Sequence, residues 1–86
     1  MYRLRLARSA QRDLDQLDGI LWERIQDALL RLRDEPRPHG CRKLRGGEAT
    51  YRVRVGDYRV VYIVDDDIRT VRVIRVKHRR EAYRNL

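Results

Sequence analysis

The segment from residue 51 to residue 62 constrains the fold more than any other part of the chain. It alternates apolar residues with arginine at a period of two, so on a strand Arg52 and Arg54 face one side and the apolar residues face the other. Gly56 and Asp57 interrupt the alternation and predict a turn. The segment therefore predicts a hairpin with a core face and a cationic face. Guanidinium groups fixed on a rigid sheet suit a row of phosphates.

The charge of the chain is concentrated in its second half. Residues 1–40 contain 8 basic and 7 acidic residues, a net charge of +1, whereas residues 41–86 contain 13 and 6, a net charge of +7. Lys43 and Lys77 are the only lysines among the 21 basic residues. This asymmetry favours a polyanionic partner, such as nucleic acid, an acidic protein segment or a membrane surface.

Several classes of protein do not fit the composition. No apolar run approaches the ~18 residues that a membrane span needs, and the N-terminus has no signal-peptide apolar region. Cys41 has no partner for an internal disulfide, and with His39 and His78 alone there is no metal-ligand set at a recognisable spacing. We therefore expect a soluble, cytoplasmic protein without a metal, a cofactor or a membrane partner.

The first half of the chain predicts a strand followed by a helical hairpin. Apolar residues alternate with arginine from residue 2 to residue 6, as in a short strand. Ser9 is a suitable N-cap for a first helix, and Asp18-Gly19 should end it. A second helix should stop before Pro36, because the loop at residues 34–40 contains two prolines. The expected buried positions of the two helices are Ala10, Leu14, Leu17, Leu21, Ile25, Ala28, Leu29 and Leu32.

The second half predicts an antiparallel meander. Strands are expected at about residues 50–55, 58–64 and 68–76, after an irregular stretch that includes Lys43 and Arg45. The continuous apolar run at residues 60–64 is typical of a central strand covered on both faces. A short helical turn is expected at residues 80–85. The prediction is one α+β domain over residues 1–86, with an N-terminal strand and two-helix hairpin packed on an antiparallel sheet.

Two groups of side chains are candidates for a site. Arg52, Arg54 and Arg59 form either a solvated outer face or a functional surface, and Arg59 favours the second because it lies among apolar residues, where a charge needs a partner. The basic run at residues 77–80 is either a plain basic tail or part of a site that includes Tyr83.

His78 and the acidic run at residues 65–67 also allow two interpretations each. His78 is either an exposed histidine or a neutral proton acceptor beside cations. The three carboxylates at residues 65–67 are more typical of a solvated turn than of a metal site.

Four segments, in this order and spacing, resemble the RelE/ParE superfamily of bacterial toxin-antitoxin toxins. The resemblance covers essentially the whole chain. It implies a microbial-ribonuclease-like sheet and metal-free cleavage of mRNA in the ribosomal A site by attack of the 2′-hydroxyl on the neighbouring phosphate. The four segments are residues 43–46, 51–54, 56–62 and 76–83.

The resemblance also implies roles for individual residues. Arg52 and Arg54 match two basic strand residues, Arg59 a phosphate-stabilising arginine, Arg79 a second catalytic arginine, and Tyr83 a base-stacking tyrosine. The best-known members have lysine at the first two positions, and arginine is a poor general base. The proton acceptor is therefore open between His78 and Tyr83. The cations expected to bind RNA are Lys43, Arg45, Lys77 and Arg80.

The resemblance leaves alternatives for the function. A ParE-like protein would bind DNA gyrase without enzymatic activity, and a degenerate toxin would only bind its antitoxin. The expected partners are a RelB-like antitoxin, the ribosome with its mRNA, and operator DNA through the antitoxin complex.

Overall fold

The computed structural model describes residues 1–45 and 49–80. Two helices and five strands lie within these ranges. They confirm the predicted α+β fold, in which both helices pack on one face of a single sheet. The elements in chain order are β1 (Arg3–Leu6), α1 (Arg8–Asp15), α2 (Gly19–Asp34), β2 (Arg42–Lys43), β3 (Thr50–Val55), β4 (Tyr58–Asp65) and β5 (Thr70–His78).

Five of the eight positions predicted to be buried are buried, and Leu17, Leu21 and Ala28 are half-buried. α1 ends at Asp15, before the predicted break at Asp18-Gly19, so Leu17 lies outside both helices. Ile25, Leu29 and Leu32 of α2 are buried, and α2 ends at Asp34, ahead of Pro36 as predicted. The predicted cap of α1 is wrong. Ala7 occupies the N-cap position, and the Ser9 hydroxyl donates a 2.5 Å hydrogen bond to the carbonyl of Ile74 on β5 instead. A bond to a neighbouring strand has replaced the local cap, so Ser9 holds α1 against the sheet.

The sheet is mixed, not antiparallel as predicted. Its strand order is β1-β5-β4-β3-β2, and β1 runs parallel to β5 while the other pairs are antiparallel. The two helices carry the chain from β1 at one edge to β2 at the other. The alternation of apolar residues and arginine in β1 predicts a strand, but it does not predict which strand β1 pairs with or in which direction. The stretch around Arg42, predicted to be irregular, forms the short edge strand β2 paired with β3.

Within residues 1–45 and 49–80 the helices cover one face of β4 and no element covers the other, so the prediction of a strand covered on both faces is wrong. Val60, Tyr62 and Val64 are buried, whereas Val61 and Ile63 between them are partly exposed. An apolar run shows that a strand is central, but the helices determine how many of its faces are covered. The uncovered side is called the open face below.

The end of β5 and the hydrogen bond of Tyr62 add two details that the sequence does not predict. β5 ends at His78, two residues later than expected, so Lys77 and His78 lie on a strand. The buried Tyr62 donates a 2.7 Å hydrogen bond to the carbonyl of Pro36, which ties the loop after α2 to the core. Burial raises the pKa of the Tyr62 hydroxyl, because the phenolate would lose its hydration. No helix within residues 1–45 and 49–80 has the length and apolar character needed to cross a membrane.

Candidate functional site

Three cations form a row across the open face at one end of the sheet. Arg54 of β3 lies opposite Arg59 of β4, and Arg59 lies opposite Lys77 of β5. Residues directly opposite each other on paired strands project from the same face, with Cβ atoms about 5 Å apart. The three strands thus hold two guanidinium groups and one ammonium group side by side.

A second row lies two residue pairs further along the strands. Arg42 of β2 is opposite Arg52 of β3, and Arg52 is opposite Val61 of β4. Since the two residue steps that separate Arg52 from Arg54 keep the same face, both rows share the open face. The alternation of arginines in β3 is therefore realised as predicted.

The arginines of the two rows line a cleft of about 410 Å³, which is called the cationic cleft below. Arg52 and Arg59 are partly buried and Arg54 is exposed. No carboxylate is among the described residues that line it. Guanidinium groups form charge-assisted, paired hydrogen bonds with phosphate oxygens, so this lining suits a phosphodiester. The residues around the cleft are Gly40, Arg42, Arg52, Val53, Arg54 and Arg59.

The far end of the open face has a different charge pattern. A cleft of about 760 Å³ there contains the side chains of Arg3, Arg5 and Arg72, but also the carboxylates of residues 65–67. Mixed charge makes this end less suited to a phosphate chain than the cationic cleft.

His78 lies on the other side of the sheet from the cationic cleft. It is opposite Tyr58 on β4, and the two rings meet edge to face with centroids 5.3 Å apart. Its Nδ1 accepts a 3.3 Å hydrogen bond from the backbone N–H of Arg80. The structure therefore does not bring His78 together with the strand arginines, although the two are close in sequence.

The C-terminal candidates are described only in part. The backbone N–H of Arg79 donates a 2.7 Å hydrogen bond to the carbonyl of Asp57, which places Arg79 at the end of the sheet that carries Arg54 and Arg59. Arg79 and Arg80 are exposed and have helical backbone. Tyr83 and the other positions from residue 81 onward, where most of the helical turn is predicted, lie outside the described residues.

The structure places Arg42 in the cationic cleft, although the sequence analysis does not identify Arg42 as a site residue. Lys43 is opposite Tyr51, whose ring packs against the core on the helix side, so Lys43 belongs to that face. Arg45 is exposed in a bend beyond β2. A strand of two residues is too short to show a period-two pattern, and both of its residues are cations, so the sequence around Arg42 does not predict a strand.

Asp65 ends β4, and Asp66 and Asp67 lie in the turn that follows, so the predicted turn is confirmed one residue later. The Asp65 carboxylate accepts backbone hydrogen bonds within the turn. Asp66 accepts hydrogen bonds from Arg37 at 2.7 Å and from the Tyr2 hydroxyl at 2.6 Å, and these two donors hold the pKa of its carboxyl below the ordinary value. Across residues 1–45 and 49–80, no group of three or more His, Cys, Asp or Glu side chains is arranged to hold a metal ion.

Comparison with known proteins gives consistent matches over nearly the whole chain. The model of the family described as the ParE toxin of type II toxin-antitoxin systems, parDE, matches residues 4–83. Toxin RelG of Mycobacterium tuberculosis is 37% identical over 84 residues, which cover 96% of this chain and 97% of that protein.

Solved structures of RelE proteins share the fold. The archaeal RelE-RelB complex from Pyrococcus horikoshii OT3 matches with a TM-score of 0.81 and 29% identity, covering 91% of this chain and 94% of that one. The isolated E. coli RelE toxin matches with a TM-score of 0.78 and 26% identity over the full length of both chains.

The helical layer, the mixed sheet and these relatives define a small RelE-like toxin fold. The chain belongs to the RelE/ParE superfamily of type II toxin-antitoxin toxins, as the sequence resemblance predicted.

Proposed function

We propose that the protein is a ribosome-dependent mRNA endoribonuclease that inhibits translation. The observation that carries the proposal is the cationic cleft, in which the arginines of β2, β3 and β4 converge without a carboxylate among the described lining residues. Similarity to RelG and RelE toxins over nearly the whole chain supports it.

The proposed chemistry is metal-free transesterification. The 2′-oxygen of a ribose attacks the adjacent phosphorus, the bond from phosphorus to the 5′-oxygen breaks, and the products are a 2′,3′-cyclic phosphate and a free 5′-hydroxyl. Negative charge builds up on the phosphoryl oxygens in the transition state. Arg52, Arg54 and Arg59 would stabilise that charge, because they sit on strands that hold them in place before the RNA arrives.

The remaining candidates are assigned to the same reaction through the family resemblance. Arg79 would be the second catalytic arginine and Tyr83 would stack on a base, while Arg45 and Arg80 would contribute to RNA affinity. His78 and Tyr83 are the proton acceptors that the resemblance leaves open.

A RelB-like antitoxin is the proposed partner. The structural relatives include RelE-RelB complexes from Pyrococcus horikoshii and E. coli. An antitoxin with acidic residues would neutralise a chain whose net charge is +8. We place the protein in the cytoplasm, where ribosomes are available, and we propose that the antitoxin complex also binds operator DNA.

Cleavage of ribosome-bound mRNA by the purified protein, with mapping of the RNA ends, tests the proposal. The wild type should give cyclic phosphate ends, in EDTA as well as in its absence. Arg59→Ala should slow cleavage by about 100-fold or more while its melting temperature is retained. Arg12→Ala removes the same charge from an exposed position of α1 and should cleave like the wild type. Equal rates for Arg59→Ala and Arg12→Ala would refute the assignment of the cleft.

A second candidate function follows from the family model that matches, which describes ParE toxins. A ParE-like protein would act on DNA gyrase without cleaving RNA. Expression of such a protein would produce DNA breaks and leave mRNA ends unchanged. A degenerate toxin would produce neither effect and would retain only antitoxin binding.

A further inference from the structure

We propose that Lys77 is the proton acceptor that activates the 2′-hydroxyl. The inference rests on the proposed endoribonuclease function. Lys77 ends the row of cations that begins with Arg54 and Arg59, and it would do more than contribute to RNA affinity. Within that row Lys77 is the one residue with an amine, which as a class of group serves as a general base, whereas guanidinium groups do not.

The sheet holds Lys77 next to the group that would bind the phosphate. Its position opposite Arg59 in an antiparallel pair puts the two side chains on the open face, on strands about 4.8 Å apart. Lys77 is partly buried and lies within β5, whose position is fixed one residue earlier by the hydrogen bond from the Val76 N–H to the Asp13 carboxylate, at 2.8 Å. A proton acceptor on a packed strand is held in place better than one in a loop.

The other groups able to accept a proton are less well placed in the described part of the chain. His78 projects from the opposite face, packs against Tyr58, and has its Nδ1 occupied by the Arg80 N–H. Lys43 shares the helix side with Tyr51. A lysine at position 77 would supply the function that arginine at positions 52 and 54 is unable to provide.

The step balances without a metal or a further reactant besides water. Neutral Nζ of Lys77 takes the proton of the 2′-hydroxyl as the 2′-oxygen forms its bond to phosphorus. The 5′-oxygen leaves with the electron pair of the broken bond and takes a proton from water. The hydroxide that remains neutralises the Lys77 ammonium, which restores the enzyme.

The charged side chains that surround Lys77 belong to β3, β4 and β5. Arg59 faces Lys77 from β4, with Arg54 beyond it on β3. Arg75 precedes it on β5, and the side chain of Arg75 binds the Asp13 carboxylate of α1. Since only the neutral amine accepts a proton, cleavage should accelerate as the pH rises.

Lys77→Arg is the decisive variant, because it keeps the positive charge and the length of the side chain but removes the proton acceptor. In single-turnover cleavage of saturating ribosome-bound mRNA, we expect the rate to fall by about 100-fold or more and to lose its acceleration with rising pH. Binding to programmed ribosomes should change by less than about threefold, since the charge is retained. Arg12→Lys, on the exposed side of α1, is the control for a conservative exchange of a cation and should keep the rate and the pH profile of the wild type.

Chemical rescue tests the same point in a different way. Lys77→Cys in a Cys41→Ser background leaves one cysteine, which 2-bromoethylamine converts into a thioether analogue of lysine. We expect the unmodified variant to be as slow as Lys77→Arg and the aminoethylated protein to recover at least about a tenth of the wild-type rate.

The outcomes separate this inference from the proposed function. If the wild type cleaves and Lys77→Arg cleaves at a similar rate with the same pH profile, the role of Lys77 is refuted and the endoribonuclease remains. Loss of ribosome binding in Lys77→Arg, or no recovery on aminoethylation, would also overturn it. If the wild type does not cleave, both proposals fall.

Discussion

The carboxylate of Asp13 on α1 binds the guanidinium group of Arg75 on β5 through two hydrogen bonds. Nε of Arg75 donates to Oδ2 at 2.9 Å and Nη2 donates to Oδ1 at 3.1 Å, while the same carboxylate accepts the backbone N–H of Val76. β1 ends at Leu6, opposite Val73, so α1 takes over as the neighbour of β5 from there on. The contact therefore stabilises the part of β5 that carries Lys77.

Replacement of Asp13 by alanine should destabilise the protein by about 2 kcal/mol, because it removes the acceptor of the Val76 N–H and the two hydrogen bonds that Arg75 makes to this carboxylate. The side chain of Asp13 is only 15% exposed, so water replaces it poorly. Urea unfolding of the variant measures the effect. Asp15→Ala is the control, since Asp15 is exposed and accepts a hydrogen bond from Gln11 one turn away on the same helix. The free energy of unfolding of this variant should change by less than about 0.5 kcal/mol. Similar values for the two variants would contradict the structural role of Asp13.

Gly56 should be difficult to replace, because its φ of +59° lies in the left-handed region that favours glycine. Gly56→Ala should lower the free energy of unfolding by about 1 kcal/mol, and Gly56→Asn by less, because asparagine tolerates this conformation better. The turn also supplies the Asp57 carbonyl that binds the Arg79 N–H. Thermal unfolding of both variants tests the order, and alanine tolerated as well as asparagine would contradict it.

Asp66 should make stability depend on pH in the acid range. The pKa of its carboxyl is held below the ordinary value of 3.8, mainly by the hydrogen bond from Arg37. The contribution of Asp66 to the free energy of unfolding is therefore complete above that value, and it is lost as the pH falls through the lower pKa of the folded state. Asp66→Asn should therefore reduce the fall in urea midpoint between about pH 5 and pH 2.5. Asp67→Asn alters an exposed neighbour in the same turn and should leave the fall unchanged. A steep acid dependence that survives in Asp66→Asn would rule out this origin.

Arg42 should contribute more to mRNA cleavage than Lys43, although the two are adjacent. β2 alternates, so Arg42 lies in the cationic cleft and Lys43 on the helix side. Loss of a charge-assisted bond to phosphate predicts that Arg42→Ala lowers kcat/KM about tenfold. Steady-state cleavage of ribosome-bound mRNA compares it with Lys43→Ala. A larger effect at Lys43 would contradict the assignment of faces.

Much of the fold was predictable because it depends on local pattern. The period-two alternation of β3 and the turn at Gly56 are properties of neighbouring residues, and the spacing of Ile25, Leu29 and Leu32 identifies the buried side of α2 directly. The cation-rich face followed from the same alternation. The order and spacing of four segments was sufficient to indicate the superfamily, which the comparisons confirm.

The predictions that were wrong concern contacts between distant segments. The sequence of β1 does not specify that it pairs in parallel with β5, and the apolar run of β4 does not specify that one of its faces stays open. Ser9 has the chemistry of a cap, yet its hydroxyl binds Ile74, which is 65 residues away.

The sequence alone determined that this chain has a rigid face of arginines and the order of elements of a RelE/ParE toxin. Only the tertiary structure decided which cations meet. Lys77 and His78 are neighbours in sequence, but β5 extends through both, and alternate residues of a strand project from opposite faces. Pairing with β4 then sets Lys77 beside Arg59 and His78 beside Tyr58. The alternating arginines were visible from local chemistry, while their lysine neighbour depends on strand register, which forms only when the sheet assembles.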